Sequence, residues 1–202
     1  MISPKYKEKE LTIMRALLDL ISGGASIAEI KASDIADAAG IGKGTLYNYF
    51  TSKEDIFAKT IMYSIKTQLF TIFEQMRQAE GFQEKCYTVL RIVNGIIMNK
   101  NSDFHLVLFN VGGKDMEHFF NGDLAFVQEY LSMIHKRVLL LADLGAREGV
   151  IPPYTDEEYT YSAFAGALMS FIHARCRRED MDGDMLQAAM DNAYRLLVKA
   201  LS

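Results

Sequence analysis

Apolar residues recur along this chain at steps of three and four, the spacing of one helix face. Leu11, Met14, Leu17, Leu18 and Ile21 predict a first helix, which Ser22-Gly23-Gly24 stops. A second, only about two turns long, covers Ser33 to Ala39, with Ser33 able to cap it and Gly40 placed as the left-handed residue that ends it. After Gly40-Ile41-Gly42 a third helix runs from Lys43 to Phe50, and a hydroxyl of Thr51-Ser52 can cap a fourth that opens at Lys53-Glu54-Asp55. The fourth continues to about Met76, with a break at Gly81. Further helical patterns cover Phe82 to Asn99, a short piece around Asp103 to Asn110, and a long one from Asp123 to Glu148 carrying Val127, Leu131, Ile134, Val138 and Leu141. Gly149 and Pro152-Pro153 end that helix; Thr155 and Glu158 form a capping box that opens another to about Arg178. A last pattern, from about Asp184, carries Leu186, Met190, Ala193, Leu197 and Ala200.

Composition agrees with an all-α chain. Half of the 202 residues are apolar, which suits a buried core, and only 3 are proline, with none between Pro4 and Pro152. A sandwich or barrel built on frequent Pro/Gly turns is thereby disfavoured. The formal net charge is −4, so any site for a polyanion must be local. The start, Met1 to Lys7, becomes charged at once and lacks the ~7–15-residue apolar stretch of a signal peptide, and no apolar run reaches the ~18 residues that cross a bilayer. These features predict a cytoplasmic chain with no membrane contact. Cys86 and Cys176 are far apart without a C-x-x-C, which predicts reduced, buried thiols.

Two short helices joined by a Gly turn make a helix-turn-helix candidate. Leu46 and Phe50, one turn apart, must face the core together with Ile41. At 100° per residue Asn48 then points away from the core, Gly44 lies beside it, and Thr45 and Tyr47 take the flanks. A slim edge with flanking hydroxyls suits a major groove and its phosphates, and Lys43 sits in the first turn, where such helices meet bases. Lys53 adds a cation beside free backbone N–H groups, a second phosphate anchor. The plain alternative is an inert three-helix packing unit with surface tyrosines, since the first 60 residues hold 8 Lys/Arg against 8 Asp/Glu. Gly42-Lys43-Gly44-Thr45 is no phosphate loop: Asp37 stands where that loop needs glycine, and no strand precedes it. Lys5, Lys7 and Lys9, interrupted by Glu8 and Glu10, read as a solvated helix face before a minor-groove arm.

Enzyme chemistry finds no support. His105, His118, His135 and His173 show neither H-x-x-x-H nor H-E-x-x-H, and no Glu has His three residues later. There is no G-x-S-x-G elbow, and His173 and Cys176, at i, i+3, have no further local ligand. No catalytic residue, metal or cofactor is expected. Six of the twelve Phe fall between Phe82 and Phe126, and three of the four His between His105 and His135, a mixture that suits a ligand cavity or, equally, a helical core. In the helix after Asp156, Ala163, Ala167, Ser170 and Ala174 form a stripe of small residues beside one of Tyr161, Phe164, Leu168, Phe171 and Ile172. Small side chains let a second helix approach closely, either within the chain or, with the final helix, in a two-fold four-helix interface.

The segment Ser33-Asp34-Ile35-Ala36-Asp37-Ala38-Ala39-Gly40-Ile41-Gly42-Lys43-Gly44-Thr45-Leu46-Tyr47-Asn48-Tyr49-Phe50-Thr51-Ser52-Lys53-Glu54-Asp55 resembles the helix-turn-helix of TetR-family transcriptional regulators, which reads I-A-x-x-A-G-V-x-K-G-T-L-Y-x-Y-F-x-x-K-E. The match is specific over about residues 8 to 60; the rest agrees only in length, helical pattern and closing pair of helices. The resemblance implies a three-helix DNA-binding domain over 1–55, a helical bundle for effector binding and dimerisation over 56–202, and repression relieved from a palindromic operator by a small molecule. Position by position it would set Lys43, Gly44 and Asn48 against bases and Thr45, Tyr47, Tyr49 and Lys53 against phosphates. Lys31 stands where the family commonly has Thr, which leaves open whether Ser33 caps the second helix or touches phosphate. Phe104, His105, Phe109, Tyr130, Met133 and His135 are the residues assigned to an effector cavity. Ala163, Ala167, Ser170, Ala174, Met190, Ala193 and Leu197 are those assigned to a homodimer interface. The other readings are a DNA-binding regulator governed by a protein partner, and a helical ligand-binding or enzymatic bundle whose motif is incidental.

Overall fold

The first apolar stripe folds as α1, Glu8–Ser22, which buries Ile13, Met14, Leu17, Leu18 and Ile21 on one side. The computed structural model describes residues 6–99, 125–178 and 180–202, with 125–127 by their backbone, and these residues are helical with no strand. After α1 come α2 (Ala32–Ala38), α3 (Lys43–Leu46) and α4 (Lys53–Gln78). Between α2 and α3 Gly40 takes φ +66°, where a Cβ would be strained, and the chain reverses with the Ile41 N–H donating to the Ala36 carbonyl at 3.0 Å. The expected left-handed glycine is therefore found in place. Ile13, Met14, Leu17, Ile35, Leu46, Phe50, Ile56 and Phe57 are enclosed almost completely and form the core of this part of the chain. Burying each such side chain contributes about 1.5–3 kcal/mol, far more than the intrinsic preference of so short a helix as α3.

The chain divides into two compact units, the first running to Phe70 and the second comprising Thr71–Met98 with Ala125–Ser202. The division falls inside α4, later in the chain than the functional boundary expected at 55/56.

In the second unit α5 (Phe82–Met98), α6 (Ala125–Arg147), α7 (Glu157–Cys176) and α8 (Gly183–Leu201) pack together, α7 lying against α5, α6 and α8. Phe82 centres one cluster with Cys86, Leu141, Ala142, Ile151, Ala167 and Leu197, and Tyr87, Leu90, Phe171, Met190 and Ala193 form a second. Side chains from beyond each helix close the helix ends. Glu148 accepts the Phe82 N–H at 2.8 Å, capping α5, while the Lys85 ammonium donates to the Met76 and Ala79 carbonyls at the end of α4. The Tyr87 hydroxyl donates to Asp191 at 2.6 Å and ties α5 to α8. Burial, and then that hydrogen bond, push the Tyr87 phenol up to about 12.

Two details depart from the expected elements. Asp156, not Thr155, caps α7, its carboxylate accepting the Tyr159 N–H at 2.9 Å. A charged oxygen is the stronger acceptor for the helix's exposed N–H groups, so the cap moves on by one residue. Cys86 is buried as expected, with its thiol pushed up to about 12 by burial, but Cys176 is exposed because it ends α7 on the outer side. The short pattern at Asp103 to Asn110 lies outside the described residues.

Gly145 marks the tightest helix contact. A Cβ built there would stand 2.8 Å from Cδ2 of Phe82, whose ring is fully enclosed and has nowhere to move. Alanine gains at most about 1 kcal/mol of helix preference, and less near a helix end, whereas overpacking costs about 1–3 kcal/mol. Gly145→Ala is expected to lower stability by about 1 kcal/mol in urea titrations; a variant as stable as the parent would contradict this packing.

Candidate nucleic-acid interface

At the start of α2 the backbone of Lys31 is extended and forms the N-cap, and the Asp34 carboxylate reaches back to accept the Lys31 N–H at 2.8 Å. Ser33 is the second residue inside the helix, so the expected cap at Ser33 is corrected to Lys31. The Ser33 hydroxyl donates to the other oxygen of Asp34 at 3.2 Å. A phosphate approaching Ser33 would therefore meet a carboxylate, which weakens the assignment of Ser33 to DNA.

The third helix keeps the expected faces while ending sooner. Its α-helical part stops at Leu46, and the chain then winds through tighter turns, with Asn48 N–H donating to Thr45 and Tyr49 N–H to Leu46, both at 3.1 Å. Two tyrosines and an asparagine hold an α-helix poorly, and three-residue bonds of this kind are common at helix ends. Leu46 and Phe50 remain buried one turn apart, while Lys43, Gly44, Thr45, Tyr47 and Asn48 are exposed and Tyr49 is half-buried. A Cβ added to Gly44 would meet nothing within 4 Å, so the chain's own packing does not demand a glycine there. What results is a narrow outer edge, Lys43-Gly44 and Asn48, with hydroxyls on its flanks.

The next turn carries Lys53, the second expected anchor. The Ser52 hydroxyl accepts the Asp55 N–H at 3.1 Å and caps α4, as the sequence suggested for Thr51-Ser52. Lys53, half-buried, holds its ammonium 5.6 Å from the centre of the Phe57 ring. One oxygen of Asp55 accepts both the N–H of Thr51, at 2.9 Å, and the ammonium of Lys59, at 3.0 Å. Sequence reasoning passed over Asp55, although Ser52-x-x-Asp55 has the spacing of a reciprocal cap.

The residues assigned to an effector cavity fare unevenly. Phe104, His105 and Phe109 lie outside the described residues. Tyr130, Met133 and His135 are half-buried on α6, where the His135 ring meets Tyr161 edge-on at 5.0 Å and its Nε2 is enclosed without a hydrogen-bond partner. Among the described residues no group of His, Cys, Asp and Glu could hold a metal ion, and no helix is long and apolar enough to cross a membrane.

The residues assigned to a dimer interface need correction. Ala167 (5% exposed), Met190 (4%), Ala193 (2%) and Leu197 (4%) are spent on the second unit's own core and have almost no surface to offer a second chain. The smallness of Ala167 serves close packing around Phe82. Ala163 and Ala174 are half-buried, and only Ser170 of the stripe is exposed. Besides Leu131 and Leu140 on α6, the exposed apolar side chains of this unit include Tyr159, Met169, Met185 and Leu196 on α7 and α8, with Met169 59% and Leu196 47% exposed. A groove of about 560 Å³ runs there, lined by Ser170, His173, Ala174, Met185, Ala189 and Asn192 among others.

A family model described as "Bacterial regulatory proteins, tetR family" matches residues 26–60, which span α2, α3 and the start of α4. No curated protein matches. Among solved structures the chain is similar to the fatty acid degradation regulator FadR from Bacillus halodurans, at 19% identity and a TM-score of 0.67 over 96% of each chain. It is also similar to a TetR transcription regulator from Haloarcula marismortui, at 16% identity and a TM-score of 0.68 over 98% of this chain and 100% of that one. A third, the superantigen PfiT, gives 17% identity and a TM-score of 0.69 over 96% of this chain and 97% of that one. At these identities the likeness establishes a shared fold, and the activity rests on the helix-turn-helix itself. Residues 26–60 thus carry the helix-turn-helix of the bacterial tetR regulatory proteins, on a fold that nearly the whole chain shares with solved TetR regulators.

Proposed function

We propose that the chain acts as a homodimeric repressor that leaves a palindromic, double-stranded operator when a small molecule binds its second unit. The observation that carries this reading is the narrow outward edge of Lys43, Gly44 and Asn48, set on the buried pair Leu46 and Phe50. So short a segment reads only a few base pairs, and two copies related by a two-fold axis supply the length and the symmetry of a usable site. Thr45, Tyr47, Tyr49 and Lys53 take phosphates in this reading, and Ser33 is left to its bond with Asp34.

The exposed apolar face of α7 and α8 is assigned to the dimer. Met169, Met185 and Leu196 would be covered by the same face of a second chain, an isologous contact. Tyr130, Met133 and His135, with Phe104, His105 and Phe109, are assigned to the effector, and the enclosed, unpartnered Nε2 of His135 supports a polar contact there. A coupling of about 1–3 kcal/mol between effector and operator suffices for such a switch. The protein acts in the cytoplasm, where its operator is.

Two experiments test this reading. Asn48→Ala is expected to change sequence preference, while Lys53→Ala weakens every duplex alike and lowers the salt slope by about 1. A Lys53→Ala variant that changes base preference at an unchanged slope would refute the assignment. Met169→Arg sets an unpaired charge in the assigned interface, which costs several kcal/mol and shifts dimerisation by orders of magnitude. Sedimentation velocity is expected to show a monomer with unaltered circular dichroism and greatly weakened operator binding; an intact dimer would place the interface elsewhere.

A further inference from the structure

We propose that Asp55 and Lys59 form a positioning clamp: they fix the turn between the recognition segment and α4, and so set the angle at which Lys43, Gly44 and Asn48 are presented, without touching DNA themselves. Asp55 is the hub of that turn. Its Oδ2 accepts the Thr51 N–H at 2.9 Å, the Thr51 hydroxyl at 3.2 Å and the Lys59 ammonium at 3.0 Å, while its own N–H donates to the Ser52 hydroxyl at 3.1 Å. Both linker residues are thus bonded to one side chain or its amide. Lys59 closes the other side, because its ammonium also lies 5.1 Å from the centre of the ring of Phe50, the fully buried last residue of the recognition segment.

The chain's lead-in to α1 converges on the same place. Tyr6 meets Tyr63 edge-on at 5.8 Å, and after burial the carboxylates of Glu10 and Asp55 oppose ionisation of its phenol. An ion pair whose side chains are 33% and 20% exposed contributes little to stability by itself. Its geometric consequence is larger, since a binding constellation works only when held within a fraction of an ångström. Charge supplies a second reason for the pair. Asp55 stands two residues from the phosphate anchor Lys53, and an unneutralised carboxylate there would repel the duplex; Lys59 cancels it while both ends stay engaged inside the protein.

The clamp rests on DNA binding alone, which enrichment of a duplex from a random pool by the unmodified chain tests separately. That duplex and a scrambled one are the probes. Asp55→Asn removes a negative charge near DNA, so a charge effect alone would tighten binding to both duplexes. The clamp predicts the opposite sign for discrimination: the ratio of affinities, selected over scrambled, falls about tenfold, measured on protein whose circular dichroism is unchanged. Lys59→Met, which leaves the bonds from Asp55 to Thr51 and Ser52 in place, carries the same expectation and serves if Asp55→Asn does not fold. The double variant keeps the net charge and is expected to show the lowered ratio at an unchanged salt slope. An unchanged ratio in a folded variant overturns the clamp. So does a slope lowered by about 1 in the double variant, which would make Lys59 a phosphate contact.

Discussion

What the recognition segment shows outward depends on what it buries. α3 has four α-helical residues, too few to persist alone, since nucleating a helix fixes several dihedrals for each hydrogen bond gained. Its shape is imposed by Leu46 and Phe50, which sit in a core shared with Ile13, Met14, Leu17 and Ile35. Once those two side chains are buried, rotation about the segment is no longer free, and Asn48 and Gly44 have only the outside left to them. The Gly40 turn before it and the Ser52 cap after it hold the two ends. The outward edge of Lys43, Gly44 and Asn48 is a by-product of core packing.

The second unit solves a different problem with different means. Its helices are long enough to persist, so the burden falls on their ends and on close approach. Glu148 and Lys85 satisfy backbone groups at the junction of α4 and α5, and Gly145 lets α6 lie directly against the Phe82 ring. Large apolar side chains are left outside this core on α5 (Met98), α6 (Leu131 and Leu140), α7 (Tyr159 and Met169) and α8 (Met185 and Leu196).

Local signals were legible from the sequence and distant ones were not. The register of α3, the left-handed Gly40 and the hydroxyl cap at Ser52 each follow from neighbours within a few residues, and each is found in the structure. The stripe Ala163, Ala167, Ser170, Ala174 shows the limit of such reasoning. Small residues announce that something approaches closely, and nothing in their spacing says whether it is Phe82 of the same chain or a helix of another; for Ala167 it is Phe82's cluster. The bonds from Tyr87 to Asp191 and from Phe82 to Glu148 join positions 104 and 66 residues apart and leave no trace in any local pattern. The expected cap at Thr155 missed by one residue, because Asp156 beside it is the stronger acceptor and took the role.

Operator binding as proposed requires that the Gly44 edge enter a groove of DNA, and Gly44→Leu tests this most directly. Since a Cβ at Gly44 meets nothing within 4 Å and the position is exposed, the variant is expected to melt near the parent temperature. In fluorescence anisotropy its affinity for the selected duplex should fall by about a hundredfold or more, because the added bulk stands where the bases must come. A Gly44→Leu protein that binds that duplex as tightly as the parent would contradict the account at its centre.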